Sequence, residues 1–246
     1  ILRDRFAGDV PAVLLLPDGD GAAPAIVALP GHAETADQHL RDRYGRHLAG
    51  QGFAVLAVSF RAYQQSGRSR NDRPESDAAK RFACQHQNLM VMRAYEGLLA
   101  ARALAAHARV DPARIGLIGH SGGSSSAYPL LWWKDAPIAA FVLDNSPAHY
   151  DIERWGGGGD EWTLDCGAHE ALYTYTDLLT DVCSLPKAWN RPLRRVPYAY
   201  EPGVEPNQDP CEPWPFPGAG TEPAPGDVRA LSWFVPFFTE HLGRAQ

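Results

Sequence analysis

The sequence IGLIGHSGGSSS at residues 115–126 predicts a strand, a sharp turn and a helix in immediate succession. Its centre, Gly119-His120-Ser121-Gly122-Gly123, follows the G-x-S-x-G pattern of a nucleophile elbow. A serine on so tight a turn has strained backbone angles, and small residues two positions before and after it let the strand and the helix pass each other. We therefore expect Ser121 to be a nucleophile, with the backbone N–H of Gly122 directed at a developing oxyanion.

Strands and helices alternate on both sides of this stretch. Short apolar runs predict strands, the first of them antiparallel, at residues 11–17, 24–30, 53–60 and 138–144, and residues 110–114 predict the turn into the Ser121 strand. Helical patterns cover residues 37–50, 77–107, 124–133 and 227–242. Such alternation implies right-handed crossovers. We expect a three-layer α/β/α sandwich around a mostly parallel central sheet.

The second half of the chain is less regular. We interpret residues 1–246 as a single domain, with a lid-like insertion at about 145–190 and an irregular Pro/Gly-rich connection at about 202–226. Between them, residues 195–200 predict one more strand, although Pro197 weakens the pattern.

Composition excludes several classes of function. The net charge of −6 and the pI near 5.8 give no basis for nucleic-acid binding, and no apolar run has the length of a membrane span. The four cysteines lack the C-x-x-C spacing of a zinc site, and their even number fits two disulfides in a secreted protein or four free thiols in a cytosolic one. Three of them fall in the loop-rich C-terminal half, which favours a secreted or periplasmic protein. The sequence begins at Ile1 without a methionine, from which we expect that an N-terminal segment is missing.

Residues 24–31, 52–61, 110–116 and 119–123 resemble the α/β-hydrolase superfamily, and specifically its dienelactone-hydrolase and acetyl-xylan-esterase-like esterase branch. The likeness covers residues 10–145. It implies an eight-stranded or slightly reduced sheet, no metal or organic cofactor, and hydrolysis of a small or medium ester through an acyl-enzyme on Ser121. By the same resemblance, the backbone N–H of His32 joins that of Gly122 in the oxyanion hole.

The general base does not lie where the resemblance places it. The family has a histidine before its last helix, where this chain has Gly218-Ala219-Gly220-Thr221. A serine needs a base within hydrogen-bond reach, and His120 points away from the attack direction in elbows of this kind. We take His169, which lies in the lid-like insertion beside carboxylates, as the base, with His149 and His241 as alternatives.

Two carboxylates end predicted strands and are candidates for the acid that orients the base. Glu201 occupies the family position, and Asp144 ends the strand after the elbow. The sequence thus predicts a carboxylesterase-type serine hydrolase. Two alternatives remain: a catalytically silent binding protein that has lost its base, and a peptidase of the same fold. The oligomeric state is left open.

Overall fold

A computed structural model describes residues 1–31, 34–61, 82, 84, 85, 87, 89–146, 191–197 and 234–243. The strands are β1 (Leu2–Asp4), β2 (Gly8–Val10), β3 (Ala12–Leu15), β4 (Ala23–Leu29), β5 (Ala54–Val58), β6 (Val110–His120), β7 (Ala140–Ser146) and β8 (Leu193–Pro197). The helices are α1 (Ala36–Asp42), α2 (Gly45–Gly50), α3 (Leu89–Ala105), α4 (Gly122–Trp132) and α5 (Val235–Leu242).

Six strands form the central sheet in the order β3-β5-β4-β6-β7-β8, and β1 pairs with β2 in a separate hairpin. β3 runs antiparallel to β5, as its sequence predicts, and the other neighbours are parallel. The predicted α/β sandwich with a mostly parallel sheet is therefore confirmed. In such a sheet the carboxyl ends of β4, β5, β6 and β7 lie along one edge, where α/β proteins place their sites.

Helices cover both faces of this sheet. Because side chains alternate along a strand, Leu117 of β6 packs on the same side as residues of α3 and α4, whereas Ile118 packs on the side of α1, α2 and α5. β4 and β5 are buried on both faces, which explains their continuous apolar sequences. None of the helices within the described residues has the length and apolarity needed to cross a membrane.

Two predicted elements differ from those in the structure. Residues 110–114 belong to β6 instead of forming a turn, and the turn signal appears as a register shift against β4. The helix predicted over 37–50 divides into α1 and α2 at Arg43 and Tyr44. Pro236 lies in the first turn of α5. Proline is tolerated there because the first N–H groups of a helix have no acceptor within the helix.

The structure contains the last predicted strand but does not test the two irregular segments. The strand predicted over 195–200 is present as β8 at Leu193–Pro197. β7 extends to Ser146, but the rest of the lid-like insertion and all of the Pro/Gly-rich connection lie outside the described residues. The division of the chain into these segments therefore stays a prediction.

Candidate active site

Ser121 lies at the junction of β6 and α4, between the last strand residue and the first helical residue, Gly122. Its backbone has φ 50° and ψ −116°, and it is the only non-glycine residue with positive φ within the described part of the chain. Such a conformation costs on the order of 1–3 kcal/mol and persists only where neighbouring structure enforces it. The Ser121 N–H donates to the Asp144 carbonyl on β7 at 2.9 Å, which anchors the turn to the adjacent strand.

The glycines two residues before and after Ser121 are required by backbone contacts. A Cβ added at Gly119 would lie 2.6 Å from the carbonyl oxygen of Gly123. A Cβ at Gly123 would overlap the Leu29 carbonyl oxygen and lie 2.7 Å from that of Pro30. Neither contact involves a flexible side chain that can move aside. The expectation that small residues let strand and helix pass each other is confirmed at both positions.

Ser124, in the first turn of α4, binds the backbone on both sides of the elbow. Its Oγ is fully buried and lies 2.7 Å from the carbonyl oxygens of both Gly119 and Asp144. The hydroxyl thus connects α4 to β6 and β7 with its single proton. The sequence analysis assigned Ser124 only to the start of a helix, because a serine beside Gly-Gly carries no signal for this contact.

A partly buried carboxylate, that of Glu34, lies next to the elbow. Glu34 Oε2 accepts the Gly31 N–H at 2.8 Å and is 3.0 Å from His39 Nδ1, while Oε1 accepts from Arg43 Nε at 2.7 Å. Oε2 is also 3.5 Å from Nδ1 of His120, the residue that precedes Ser121. We call these five residues, Gly31, Glu34, His39, Arg43 and His120, the Glu34 network. It joins the end of β4, α1 and the end of β6.

His120 belongs to this network because of strand alternation. Its side chain is on the same face of β6 as Ile118, toward α1, and is 5% exposed, whereas α4 covers the opposite face. This direction agrees with the interpretation that His120 is not the base for Ser121.

The charges in the Glu34 network are set by burial and by opposite charges. Burial alone would raise the pKa of Glu34, but its contacts with His120 and His39 hold that pKa far below its ordinary value. Burial lowers the pKa of His39, so its imidazole is neutral and donates Nδ1–H to the carboxylate. Burial opposes the charge on Arg43, yet Glu34 raises the pKa of the guanidinium. At neutral pH the network therefore contains a carboxylate, a neutral His39 and a guanidinium.

One potential metal-donor set falls within the same residues. One donor atom each from Glu34, His39 and His120 lies within 4.8 Å of the others, and carboxylate and imidazole are zinc ligands. However, Oε2 already accepts two hydrogen bonds, and Arg43 Nη2 is 2.6 Å from Oε1. A fixed positive charge this close opposes a divalent cation. The donor set fits an ion-pair network better than a metal site.

A second buried ion pair lies at the same sheet edge, after β5. Arg61 Nε donates to Glu96 Oε1 at 2.5 Å, and Arg93 Nη2 donates to the Arg61 carbonyl at 3.2 Å. Burial raises the pKa of Glu96 despite the neighbouring guanidinium of Arg61. This pair resembles the Glu34–Arg43 pair in chemistry, and no described contact connects it to the elbow.

Asp144, the alternative acid, is fully buried and level with His120, and β7 continues for two residues beyond it instead of ending there as its sequence predicts. Tyr44 OH donates to its Oδ2 at 3.2 Å. Its carboxylate therefore faces the side of α1 and α2, while its carbonyl supports Ser121 and Ser124.

His241, an alternative base, lies in the last turn of α5. A Cβ at Gly116 would lie 3.0 Å from Leu242 Cδ1, and one at Gly243 would lie 3.6 Å from Arg114. The end of α5 therefore packs on β6 at Gly116, and Ser121 follows Gly116 by five residues, or about 16 Å along the strand. The structure does not bring His241 and Ser121 together. His32, His149, His169 and Glu201 lie outside the described residues.

No protein-family model matches the chain, and no curated protein matches it by sequence. Solved structures do match. Porphyromonas gingivalis dipeptidyl peptidase 4 has a TM-score of 0.56 at 15% identity, covering 98% of this chain and 35% of that one. A Mycobacterium tuberculosis puromycin-hydrolyzing peptidase has a TM-score of 0.57 at 15% identity, covering 99% and 39%.

A third structure matches over its whole length. The dienelactone hydrolase-like promiscuous phosphotriesterase P91, from metagenomic libraries, has a TM-score of 0.55 at 17% identity, covering 96% of this chain and 100% of that one. By contrast, the chain spans little more than a third of each of the two peptidase chains. All three structures have the α/β-hydrolase fold, and at these identities the likeness establishes that fold for this chain.

Proposed function

We propose that the chain is a serine hydrolase of the carboxylesterase type that forms an acyl-enzyme on Ser121. The observation that carries the proposal is the positive φ of Ser121 at the junction of β6 and α4. A strained serine at the carboxyl edge of a parallel sheet, followed directly by a helix N-terminus, is the arrangement that presents a nucleophile to an oxyanion site. Gly119, Gly123 and Ser124 enforce this conformation through backbone contacts.

In this proposal Ser121 Oγ attacks the ester carbonyl, and the backbone N–H groups of Gly122 and His32 hold the oxyanion. His169 takes the serine proton and later protonates the leaving alkoxide, with Glu201 as its orienting acid. His149 is the alternative base and Asp144 the alternative acid. The remoteness of α5's end from Ser121 makes His241 the weakest of the three histidines.

The substrate we propose is a small or medium carboxylic ester. The P91 structure is described as dienelactone hydrolase-like, and its chain and this one match over nearly their full lengths. Two other neighbours are described as peptidases, but this chain corresponds to only 35% and 39% of them. Peptide hydrolysis is therefore the less favoured activity.

A silent binding protein is the second candidate function. One observation favours it: on the α1 side of the sheet His39 is hydrogen-bonded to Glu34, and His120 Nδ1 faces the same carboxylate at 3.5 Å. A chain whose remaining histidines also failed to reach Ser121 would retain the elbow without a base.

The test compares hydrolysis of p-nitrophenyl acetate and of a peptide p-nitroanilide by the protein and by Ser121→Ala. An esterase hydrolyses the ester on the order of a thousandfold faster than the variant and leaves the anilide intact. Equal ester rates for the two proteins would reject the esterase in favour of the silent binder, and preferential cleavage of the anilide would reassign the chain as a peptidase.

A further inference from the structure

We propose that Glu34 is a positioning residue for this hydrolase. Its partly buried carboxylate holds Gly31, at the end of β4, against the elbow and so aligns Ser121 with the backbone N–H of Gly122. The inference rests on the proposed function, since alignment is measured through the serine's reactivity.

The loop is held at both ends of one short turn. Glu34 Oε2 accepts the Gly31 N–H at 2.8 Å, and the Glu34 N–H donates to the Gly31 carbonyl at 3.2 Å. Together these two bonds hold Gly31, at the end of β4, against Glu34.

The elbow is in direct contact with this loop. His120 Nδ1 is 3.5 Å from Glu34 Oε2, and Ser121 is the next residue along the chain. A Cβ at Gly31 would lie 2.8 Å from His120 Nδ1 and 3.3 Å from the His120 carbonyl oxygen. The loop and the elbow therefore touch so closely that a displacement of one shifts the other.

The carboxylate itself is fixed from α1. Arg43 Nε binds Oε1 at 2.7 Å, and His39 Nδ1 lies 3.0 Å from Oε2. α1 begins with a capping box between Thr35 and Gln38, directly after Glu34. Charge-assisted bonds of this kind are shorter and stronger than neutral ones, and two partners on one oxygen and one on the other define its direction. Glu34 thus connects Gly31 to His39 of α1 and to Arg43 at the end of α1.

The experiment compares Glu34→Ala and Arg43→Met with Glu96→Gln as the matched control, because Glu96 is likewise a carboxylate paired with an arginine at this sheet edge. Each variant is assayed well below its melting temperature for kcat and KM on p-nitrophenyl acetate and for the pH dependence of kcat. A misplacement of about 1 Å costs up to about a hundredfold in rate. We expect Glu34→Ala to lower kcat roughly 30- to 100-fold, with KM within threefold and the midpoint of the pH profile unchanged.

Arg43→Met leaves the Glu34–Gly31 bond in place and should lower kcat roughly 3- to 10-fold, so it tests the proposal even if Glu34→Ala does not fold. Glu96→Gln should lose stability while keeping kcat within threefold of the parent. A parent that hydrolyses the ester while both Glu34→Ala and Arg43→Met match its kcat overturns the positioning role and leaves the proposed function standing. A parent with no Ser121-dependent hydrolysis overturns the proposed function instead. Loss of parent activity in EDTA, restored by Zn²⁺, would reassign the Glu34 network to a metal and overturn the positioning role.

Discussion

Replacing Gly123 with alanine tests the elbow geometry most severely. The added Cβ would overlap the Leu29 carbonyl oxygen and lie 2.7 Å from the Leu29 carbonyl carbon. An ordinary contact of about 3.4 Å or more requires α4 to move away from β4 by about 1 Å, because a backbone carbonyl within a strand cannot rotate aside. Alanine is otherwise favoured over glycine within a helix by about 1 kcal/mol, so any loss of stability in the variant is due to the steric overlap.

We expect Gly123→Ala to lower the free energy of unfolding by about 1–3 kcal/mol, the usual cost of overpacking. We also expect it to lower kcat by about a hundredfold, because the helix start that carries Gly122 moves with α4. Gly50→Ala is the matched control, since a Cβ there meets no atom within 4 Å. Urea unfolding and p-nitrophenyl acetate hydrolysis measure the two effects. If Gly123→Ala is as stable and as active as Gly50→Ala, the close contact between Gly123 and the Leu29 carbonyl does not hold α4 in place.

Three further predictions concern other residues. Burial holds the pKa of His39 below its ordinary value, so as pH falls below about 6.5 the unfolded chain takes up a proton that the native state does not, and stability drops by as much as about 1.4 kcal/mol per pH unit. Urea titrations between pH 7.5 and 5.5 measure the free energy of unfolding, which should depend less steeply on pH in His39→Asn than in the parent. An unchanged pH dependence would contradict the neutral state of His39 in the native protein. His169→Ala should lower kcat about a thousandfold, whereas His241→Ala should stay within threefold; the reverse result would move the base to α5. Tyr44→Phe removes a donor from the buried Asp144 carboxylate and should cost about 1–3 kcal/mol by thermal unfolding, and a neutral effect would mean that the bond is not formed.

The sheet and the elbow were accessible from sequence because both depend on local patterns. The apolar run before Gly119 and the spacing of glycines around Ser121 fix a strand, a turn and a helix without reference to distant residues. The requirement for small residues at Gly119 and Gly123 follows from the close approach of backbones that any such turn imposes.

The boundaries were less predictable where tertiary pairing outweighs a local signal. Asp111-Pro112 is typical of a turn, yet Val110 pairs with Ala23 of β4 and the irregularity is absorbed as a register shift. Similarly, the continuous helical pattern over 37–50 does not reveal the division at Tyr44, whose side chain is fully buried and bonded to Asp144, one hundred residues later.

The Glu34 network could not be predicted, because its members lie on three separate elements. In sequence, Glu34 lies in the loop before the predicted helix, His39 and Arg43 have the appearance of polar residues on a solvated helix, and His120 is the variable residue of the elbow pattern. Only the approach of β4, α1 and β6 makes them neighbours. Residue types that are common on protein surfaces therefore form a charged network beside the candidate nucleophile.

The central claim is that Ser121 is a reactive nucleophile, and covalent labelling tests it most directly. The purified protein is incubated with a fluorophosphonate probe, and intact mass and peptide mapping locate the adduct. We predict one adduct per chain, on the peptide that contains Ser121, and none in Ser121→Ala. An unlabelled parent protein, or a Ser121→Ala variant labelled to the same extent, would contradict the claim.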